Sequence, residues 1–288
     1  MKILILGNGF LGKSLHEYLS QGIHSISLIS RSTIVGDSFF DFFREESIRC
    51  VIDLIKPDVV INTIWITESS IYASSPLNHD YASANIRLGE ICIENRVKHF
   101  VSFGTSAEYG EDPGACNSEN TTCSPESLYA KSKYHVFQNL SRIYENSNLR
   151  FSWVRIFQPY GKFQDSSRFI PALVSDLRRG IEIKLKNPNT RLDWISSWDV
   201  SRATELLLHN EAPVAVDIGT SIPVYNFEVL NTLALHLGLR SQIIEPDFSA
   251  SRGISRFVSD EAFLSRVWEP QLTLSSGLQR LVREFEKN

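Results

Sequence analysis

Cysteine is scarce in this sequence. The chain has 288 residues and four cysteines, Cys50, Cys92, Cys116 and Cys123, which are too few and too scattered for a disulfide-rich scaffold. Cys116 and Cys123 share one polar stretch, but they lack the CxxC spacing or the histidine neighbours of a zinc site. We therefore expect reduced thiols, as in a cytoplasmic protein, and no metal site.

The sequence also lacks a long hydrophobic run and an excess of basic charge. Glycines interrupt the apolar start, MKILIL, too early for the hydrophobic region of a signal peptide, and no later run reaches the length of a membrane span. The formal net charge is −4, so the composition offers no basic surface for nucleic acid. We predict a soluble, cytoplasmic protein that binds neither membranes nor nucleic acids.

What the sequence does contain is an alternation of apolar strands and helices. The predicted strands lie at residues 3–6, 24–29, 58–64, 99–104 and 150–157. Continuous apolar strands separated by helices are typical of a parallel sheet covered on both faces. The pattern loosens after residue 160, where a helix near 168–179 and a short strand at 181–185 are expected. We predict an α/β, doubly wound parallel sheet (a Rossmann fold) with a smaller, discontinuous C-terminal lobe.

A glycine-rich turn follows the first predicted strand and opens the first helix. Gly7, Gly9 and Gly12 of GNGFLG fit the GxGxxG pattern, and this strand–turn–helix context is typical of dinucleotide binding. Gly7 permits the tight turn, Gly9 lets the backbone approach a pyrophosphate, and Gly12 lets helix and strand pack closely. The alternative is a turn that needs glycine only for its backbone angles. The predicted cofactor-binding residues of the turn are Gly7, Asn8, Gly9, Phe10, Leu11 and Gly12.

This turn assigns roles to the two parts of the chain. Residues 1–161 and 190–222 are expected to form the dinucleotide-binding domain. Residues 162–189 and 223–288 are expected to form a substrate-binding lobe.

The end of the second predicted strand bears on the choice of cofactor. An NAD site usually has an acidic residue there, which binds the ribose 2′-hydroxyl. The strand SISLIS runs instead into Arg31, and Asp37 lies well beyond the strand end. Because arginine can pair with a 2′-phosphate, Arg31 favours NADP(H) over NAD(H). The alternative is that Arg31 is an ordinary exposed loop residue.

Tyr129 and Lys133 stand four positions apart in SLYAKSKY, residues 127–134. On a helix this spacing places both side chains on one face. A nearby ammonium lowers the pKa of a tyrosine from its usual value of about 10, and such a tyrosine can exchange protons with an alcohol or ketone. The alternative is an exposed pair on a solvated helix, which is how we interpret Lys131 and Tyr134.

Three stretches occur in an order that resembles a known family: GNGFLG, FVSFGTSAEYG at 100–110 and YAKSK at 129–133. Together they resemble the extended short-chain dehydrogenase/reductase family of nucleotide-sugar epimerases, dehydratases and reductases. The resemblance implies that Tyr129 and Lys133 are catalytic. It also implies a catalytic hydroxyl four residues before Tyr109, which is Thr105. Ser106 could substitute, and both are expected to contact substrate.

Further stretches extend the resemblance along nearly the whole chain. ANIRLGEICIENRVKHFV implies that Asn85 lies at the active site, and WVRIFQPYG implies that Gln158 contacts the nicotinamide. TRLDWISSWDV and the C-terminal SRGISRFVSDEAF imply that Arg191 and Arg252 hold the diphosphate of a nucleotide-sugar substrate, with Arg256 as an alternative to Arg252. The family also implies a homodimer formed through the helices near residues 82–95 and 126–146.

The sequence departs from the family pattern in ways that bear on the reaction. The glycine turn is one residue shorter than usual, and WITESSIYASS at 65–75 lacks an alanine-rich stretch that lines the cofactor. The acidic pair that dehydratases carry after the catalytic threonine is absent. Glu108 stands one position beyond the place of that pair. Because neighbouring side chains of a strand point in opposite directions, Glu108 is a poor substitute, and dehydration is disfavoured.

The sequence therefore favours a reductase. The leading hypothesis is NADPH-dependent reduction of a nucleotide-linked 4-keto(-6-deoxy) sugar to the hydroxy sugar. One alternative is a nucleotide-sugar 4-epimerase with tightly bound NAD. A second is a non-catalytic NADP(H)-binding regulatory protein, which the retained Tyr129, Lys133 and Thr105 argue against.

Overall fold

The computed structural model describes residues 1–249 and 253–286. The strands are β1 (Lys2–Leu6), β2 (Ser25–Ile29), β3 (Ile34–Val35), β4 (Ser38–Phe39), β5 (Val59–Asn62), β6 (His99–Thr105), β7 (Gly114–Cys116), β8 (Arg150–Ile156), β9 (Gln158–Tyr160), β10 (Arg191–Leu192), β11 (Trp194–Ser196), β12 (Ala215–Ile218), β13 (Val224–Tyr225) and β14 (Ser255–Val258). The helices are α1 (Phe10–Leu19), α2 (Glu45–Ile55), α3 (Leu77–Glu94), α4 (Leu128–Glu145), α5 (Phe169–Arg178), α6 (Ser197–His209), α7 (Asn226–Leu237), α8 (Phe263–Val267) and α9 (Leu274–Glu286).

The core of the molecule is a six-stranded sheet in the order β12-β8-β6-β5-β1-β2. All of its neighbouring strands are parallel. Side chains of β1 alternate between the two faces: Leu4 and Leu6 pack with α2, α3 and α4, whereas Ile3 and Ile5 pack with α1, α6 and α8. Burial on both faces explains why these strands are continuously apolar. The predicted doubly wound α/β fold is confirmed.

The helices named for a dimer interface pack largely within the chain. On α4, Val136 and Leu140 are fully buried in the core between α3 and the sheet, and Phe137 and Ile143 pack against the same core. The apolar stripe of α4 is therefore used inside the protein, and the homodimer stays a prediction.

The remaining elements form a second core beside the sheet. Helices α5, α7 and α9 enclose Leu173, Leu233 and Leu281, and a separate sheet has the order β13-β10-β14-β7. The strand predicted at 181–185 is wrong, because Ile183 forms only an isolated bridge to Ile243. The second sheet takes β7 and β10 from segments assigned to the dinucleotide-binding domain, and the proposed division of domains stays a prediction.

The connections place the predicted site residues along one edge of the main sheet. Gly7 follows β1, Thr105 ends β6 and Gln158 follows β8. The carboxyl ends of parallel strands meet at one edge, where ligands of open α/β sheets bind.

No helix in residues 1–249 and 253–286 has both the length and the apolar character needed to cross a membrane.

A buried ion pair ties the end of β6 to β8. Arg155 Nε donates to Glu108 Oε2 at 2.8 Å, and both residues are almost fully buried. Glu108 also accepts hydrogen bonds from the indole of Trp153, at 3.1 Å, and from the backbone N–H of Thr105, at 2.9 Å. The carboxylate is thus satisfied by three separate donors, as a buried charge requires.

Arg155→Met is expected to lower the free energy of unfolding by about 3–5 kcal/mol, because it leaves the Glu108 carboxylate buried without its cationic partner. Urea unfolding measures the loss. Arg49→Met is the control: Arg49 pairs with Glu45 on the protein surface, so its replacement should cost far less. Equal losses in the two variants would contradict the importance of the buried pair.

Candidate active site

The glycine turn has the geometry that a dinucleotide pyrophosphate requires. Gly7 has φ +106°, and a Cβ placed on Gly12 would lie 1.7 Å from the Gly7 carbonyl oxygen, so both positions need glycine. A Cβ on Gly9 would meet nothing within 4 Å. Helix α1 begins at Phe10 with Gly9 as its N-cap and no side-chain cap. The turn therefore offers open space beside uncapped helix N–H groups, which suits an anion.

Arg31 follows β2, close to the glycine turn. The Arg31 side chain is exposed. Burial raises the pKa of Tyr81, and the positive charge of Arg31 offsets part of this increase. The Gly7 N–H donates to the Ile29 carbonyl at 2.8 Å, so the end of β2 adjoins the turn. This position fits the predicted contact of Arg31 with a cofactor ribose phosphate, which stays a prediction.

Tyr129 and Lys133 lie in the first two turns of α4. The helix begins after Ser127, whose hydroxyl accepts from the Ala130 N–H at 3.1 Å. The ring of Tyr129 meets those of Tyr72 and Trp65 edge-on, with centroids 5.2 and 6.2 Å apart. The structure thus brings the predicted pair onto one face of a helix.

The surroundings of Tyr129 differ from the expectation of a lowered pKa. Burial raises the pKa of Tyr129, and hydrogen bonding with Thr105 and the positive charge of Arg168 offset this only in part. Because the effect of burial is the largest, the phenol stays protonated at neutral pH. The sequence around Tyr129 shows the neighbouring Lys133 but does not show that Tyr129 is buried.

Lys133 is buried against the site. Its Nζ donates to the Phe103 carbonyl at 2.6 Å and lies 3.8 Å from the centroid of the Trp65 ring. Burial lowers the pKa of Lys133 to about 7, although the negative charge of Glu108 opposes the shift. Near neutral pH the ammonium and the free amine are therefore both populated.

Thr105 and Ser106 stand where β6 gives way to a 3₁₀ turn, Ser106–Tyr109. The Thr105 hydroxyl accepts from the Ala107 N–H at 3.2 Å, and Glu108 reaches back to the Thr105 N–H, which makes a capping box. The structure brings the Thr105 side chain to Tyr129, whereas Ser106 is buried at 4% exposure. Contact of either residue with substrate stays a prediction.

Glu108 is not available as an acid at this site. Its carboxylate is fully buried, and its partners are Arg155, Trp153 and the backbone of Thr105. Its direction comes from the capping box of a 3₁₀ turn, not from the strand-like alternation that we expected.

Asn85 lies inside α3 and is buried at 1% exposure. Its Nδ2 donates to the Tyr81 carbonyl at 2.8 Å, and its Oδ1 accepts from Asn62 Nδ2. Asn62 Oδ1 in turn accepts from the Ile64 N–H at 3.1 Å. Through Asn62, Asn85 holds the start of the segment that follows β5. A direct catalytic role for Asn85 stays a prediction.

The arginines predicted to bind substrate occupy different places. Arg191 is exposed, with Nε donating to the Pro223 carbonyl at 3.3 Å, and Arg252 lies outside the described residues. Arg256 donates from Nη1 to the Gly110 carbonyl at 2.8 Å and interacts electrostatically with Tyr129. Burial lowers the pKa of Arg256.

Gln158 donates its backbone N–H to the Asp193 carbonyl, at 2.8 Å, and its contact with a nicotinamide stays a prediction.

Two further residues at the site escaped the sequence analysis. Arg168 stacks on Tyr72, with 4.9 Å from Cζ to the ring centroid, and donates to the Thr67 carbonyl. Trp65 covers Lys133. The missing alanine-rich stretch marked the segment of Trp65 as unusual, but no local signal joins Arg168 to Tyr72, which is distant in sequence.

Three side chains at the opposite edge of the sheet could ligate a metal. The ligand atoms of His24, Glu205 and His209 lie within 4.8 Å of one another. The His24 and His209 rings also stack at 5.4 Å, and the Tyr18 hydroxyl donates to Glu205 at 2.8 Å. The expectation of no metal site stays a prediction. The sequence does not show this cluster, because only Glu205 and His209 are close in sequence.

The fold, the glycine turn and the Tyr129–Lys133 pair together define a Rossmann protein of the dehydrogenase/reductase type. The sequence matches the NAD dependent epimerase/dehydratase family over residues 3–219. The chain belongs to that family. No curated protein matches the sequence.

Solved structures share the fold over essentially the whole chain. A dTDP-glucose 4,6-dehydratase from Bacillus anthracis, in complex with NAD, is 22% identical, with a TM-score of 0.84 over 100% of this chain and 97% of its own. A UDP-glucose 4-epimerase from Thermotoga maritima, with UDP-glucose, is 21% identical, with a TM-score of 0.85 over 100% and 99%. A UDP-N-acetylglucosamine 4-epimerase from Methanobrevibacter ruminantium is 16% identical, with a TM-score of 0.86 over 99% and 98%. At these identities the likeness shows a common fold alone.

Burial of Lys133 predicts that stability depends on pH. Because its folded pKa of about 7 lies below the ordinary lysine value, unfolding takes up a proton between pH ~7 and pH ~10. The contribution of Lys133 to stability therefore falls as pH drops through this window. Lys133→Met lacks the group, so its melting temperature relative to wild type should be highest near pH 7 and decline towards pH 10. A difference that stays constant across this range would contradict the burial of the Lys133 amino group.

Proposed function

We propose that this protein reduces a nucleotide-linked 4-keto sugar, including 6-deoxy sugars, to the hydroxy sugar with NADPH. The observation that carries the proposal is the convergence of Tyr129, Lys133 and Thr105 at the carboxyl edge of the sheet, the edge that also carries the glycine turn. Membership of the family makes NAD or NADP the expected cofactor.

The residues present fit a dinucleotide. The open space beside Gly9 and the uncapped start of α1 suit the pyrophosphate. Arg31 follows β2 where an acidic residue is common in NAD sites, which favours the 2′-phosphate of NADP. Lys133 would hold the hydroxyls of the nicotinamide ribose. When bound, the nicotinamide supplies hydride to the carbonyl carbon.

The side chains provide the proton and stabilise the charge. Tyr129 stays protonated because burial raises its pKa, so it can donate to the developing alkoxide. The Thr105 hydroxyl, which faces Tyr129, would donate a hydrogen bond to the same oxygen. Arg168 places a positive charge near Tyr129, which favours negative charge on that oxygen. Tyr72 and Trp65 limit the access of water by packing against the Tyr129 ring.

Reduction is favoured over dehydration because the acid closest to Thr105 in sequence is not available to a substrate. Glu108, the carboxylate nearest to Thr105 in sequence, is held in the core by Arg155. The substrate's diphosphate would be bound by arginines, for which Arg191, Arg252 and Arg256 are the candidates. Arg256 has the stronger structural support of the described pair, because it is partly buried whereas Arg191 is exposed.

A nucleotide-sugar 4-epimerase with bound NAD is the second candidate. The family that the chain matches takes in epimerases, and the epimerases from Thermotoga maritima and Methanobrevibacter ruminantium share its fold. The two candidates differ in stoichiometry, because a reductase consumes one NADPH per sugar and an epimerase consumes none. A non-catalytic regulatory protein would bind the dinucleotide without turnover.

Tyr129→Phe is expected to keep cofactor affinity within about threefold and to lose about 100-fold or more in turnover, because general acid catalysis contributes that much. The measurement is NADPH oxidation with a panel of nucleotide-linked 4-keto-6-deoxy sugars, alongside calorimetric titration with NADP⁺. Tyr134→Phe, five residues further along α4, is the control and should keep its activity. Full turnover in Tyr129→Phe would refute the assignment of the acid.

A further inference from the structure

The indole of Trp65 lies directly on the Lys133 ammonium. Nζ is 3.8 Å from the ring centroid, and Trp65 is only 8% exposed. A cation above an indole face and away from water makes a strong cation–π contact. The two residues come from separate elements, the segment after β5 and helix α4, so the fold itself creates the contact.

Hydrogen bonds fix the orientation of this indole. Its Nε1 donates to Asn78 Oδ1 at 2.8 Å. Asn78 is fully buried, and its Nδ2 donates to the carbonyls of Tyr72 and Ser75 at 2.7 and 2.8 Å. A buried polar group with all these partners holds its geometry firmly. The position of Trp65 is therefore built into the fold.

The indole leaves Lys133 with almost no open surface. Lys133 is 5% exposed, and one of the three donors of its ammonium is used by the Phe103 carbonyl. An oxygen that accepts a hydrogen bond from Nζ lies about 2.7–3.2 Å from that nitrogen. The same oxygen must also stay at van der Waals contact distance from the atoms of the indole ring. No oxygen therefore fits between Nζ and an indole 3.8 Å away.

We propose that the Trp65 indole and the ribose of the dinucleotide compete for the Lys133 ammonium, so that cofactor binding displaces the indole. The inference rests on the proposed function, which makes the dinucleotide the ligand and Lys133 its ribose contact. Trp65 is then a positioning residue: it holds the ammonium at the site and makes the cofactor break the contact with Trp65 before it binds. Such a step weakens the apparent affinity for the cofactor.

Removing the indole should therefore strengthen binding. Trp65→Ala is expected to bind NADP⁺ about tenfold more tightly than wild type, because no cation–π contact has to be broken. Trp65→Phe keeps an aromatic ring but cannot donate to Asn78, so it should fall between the two. Isothermal titration calorimetry measures the Kd values, and circular dichroism verifies folding. Weaker binding by both variants would overturn the proposal, because it would mean that the indole helps to hold the cofactor.

Tryptophan fluorescence tests the displacement directly, even if Trp65→Ala does not fold. Wild type is titrated with NADP⁺, and the emission of Trp65→Phe is subtracted. The difference spectrum should shift to longer wavelength as the indole leaves its buried place. Trp268→Phe is the control, because Trp268 packs on Arg202, with 5.6 Å from the guanidinium to the ring centroid, and it should respond as wild type does. Identical responses from wild type and Trp65→Phe would overturn the displacement.

The same titrations distinguish a failure of the proposed function from a failure of the competition for Lys133. If wild type binds neither NADP⁺ nor NAD⁺, the proposed function fails and the competition fails with it. If wild type binds and Trp65→Phe matches it in both affinity and fluorescence, the competition alone fails.

Discussion

The buried carboxylate of Glu108 is the constraint on which the arrangement of the site depends. It pairs with Arg155 from β8, accepts from the indole of Trp153 and caps the backbone at Thr105. A charge in this position is tolerated only with all of its partners in place. The carboxylate therefore fixes where β6 ends and how Thr105 faces Tyr129, and it is kept away from the substrate.

A second hydrogen-bond network runs from Arg155 to Asp217 on β12. The Tyr109 hydroxyl donates to Asp217 at 2.8 Å and receives a hydrogen bond from Arg155 at 3.3 Å. Burial raises the pKa of Asp217 to about 6, against the effect of its hydrogen bond from Tyr109. Asp217 also accepts from the Ser118 N–H at 2.6 Å. Hydrogen bonds to Asp217 thus anchor the loop after Thr105 to β12 of the main sheet.

Much of this organisation could be predicted from the sequence, and the reasons are local. Strands buried on both faces are continuously apolar, and a glycine turn between a strand and a helix has few other uses. Tyr129 and Lys133 lie on one face because a helix fixes the spacing of neighbouring residues. The glycine turn, the helix start and the position of Thr105 at a strand end all follow from short stretches of sequence.

The rest depends on contacts between distant segments. Trp65 on Lys133, Arg168 on Tyr72 and Arg155 on Glu108 join residues that no short pattern connects. The pKa of Tyr129 is raised because burial outweighs the hydrogen bonding with Thr105 and the positive charge of Arg168. The predicted strand at 181–185 failed because an apolar alternation can also face a helical core, where Ile183 lies.

Reduction of the sugar is measured by the transfer of deuterium from the nicotinamide of 4-deuterated NADPH to a sugar carbon. The protein is incubated with each nucleotide-linked 4-keto-6-deoxy sugar and each stereospecifically labelled cofactor, and mass spectrometry follows the product. The proposed reduction places one deuterium in the hydroxy sugar, from one of the two labelled faces, for each NADPH oxidised. An altered sugar without deuterium and without NADPH oxidation would contradict it and would support the epimerase.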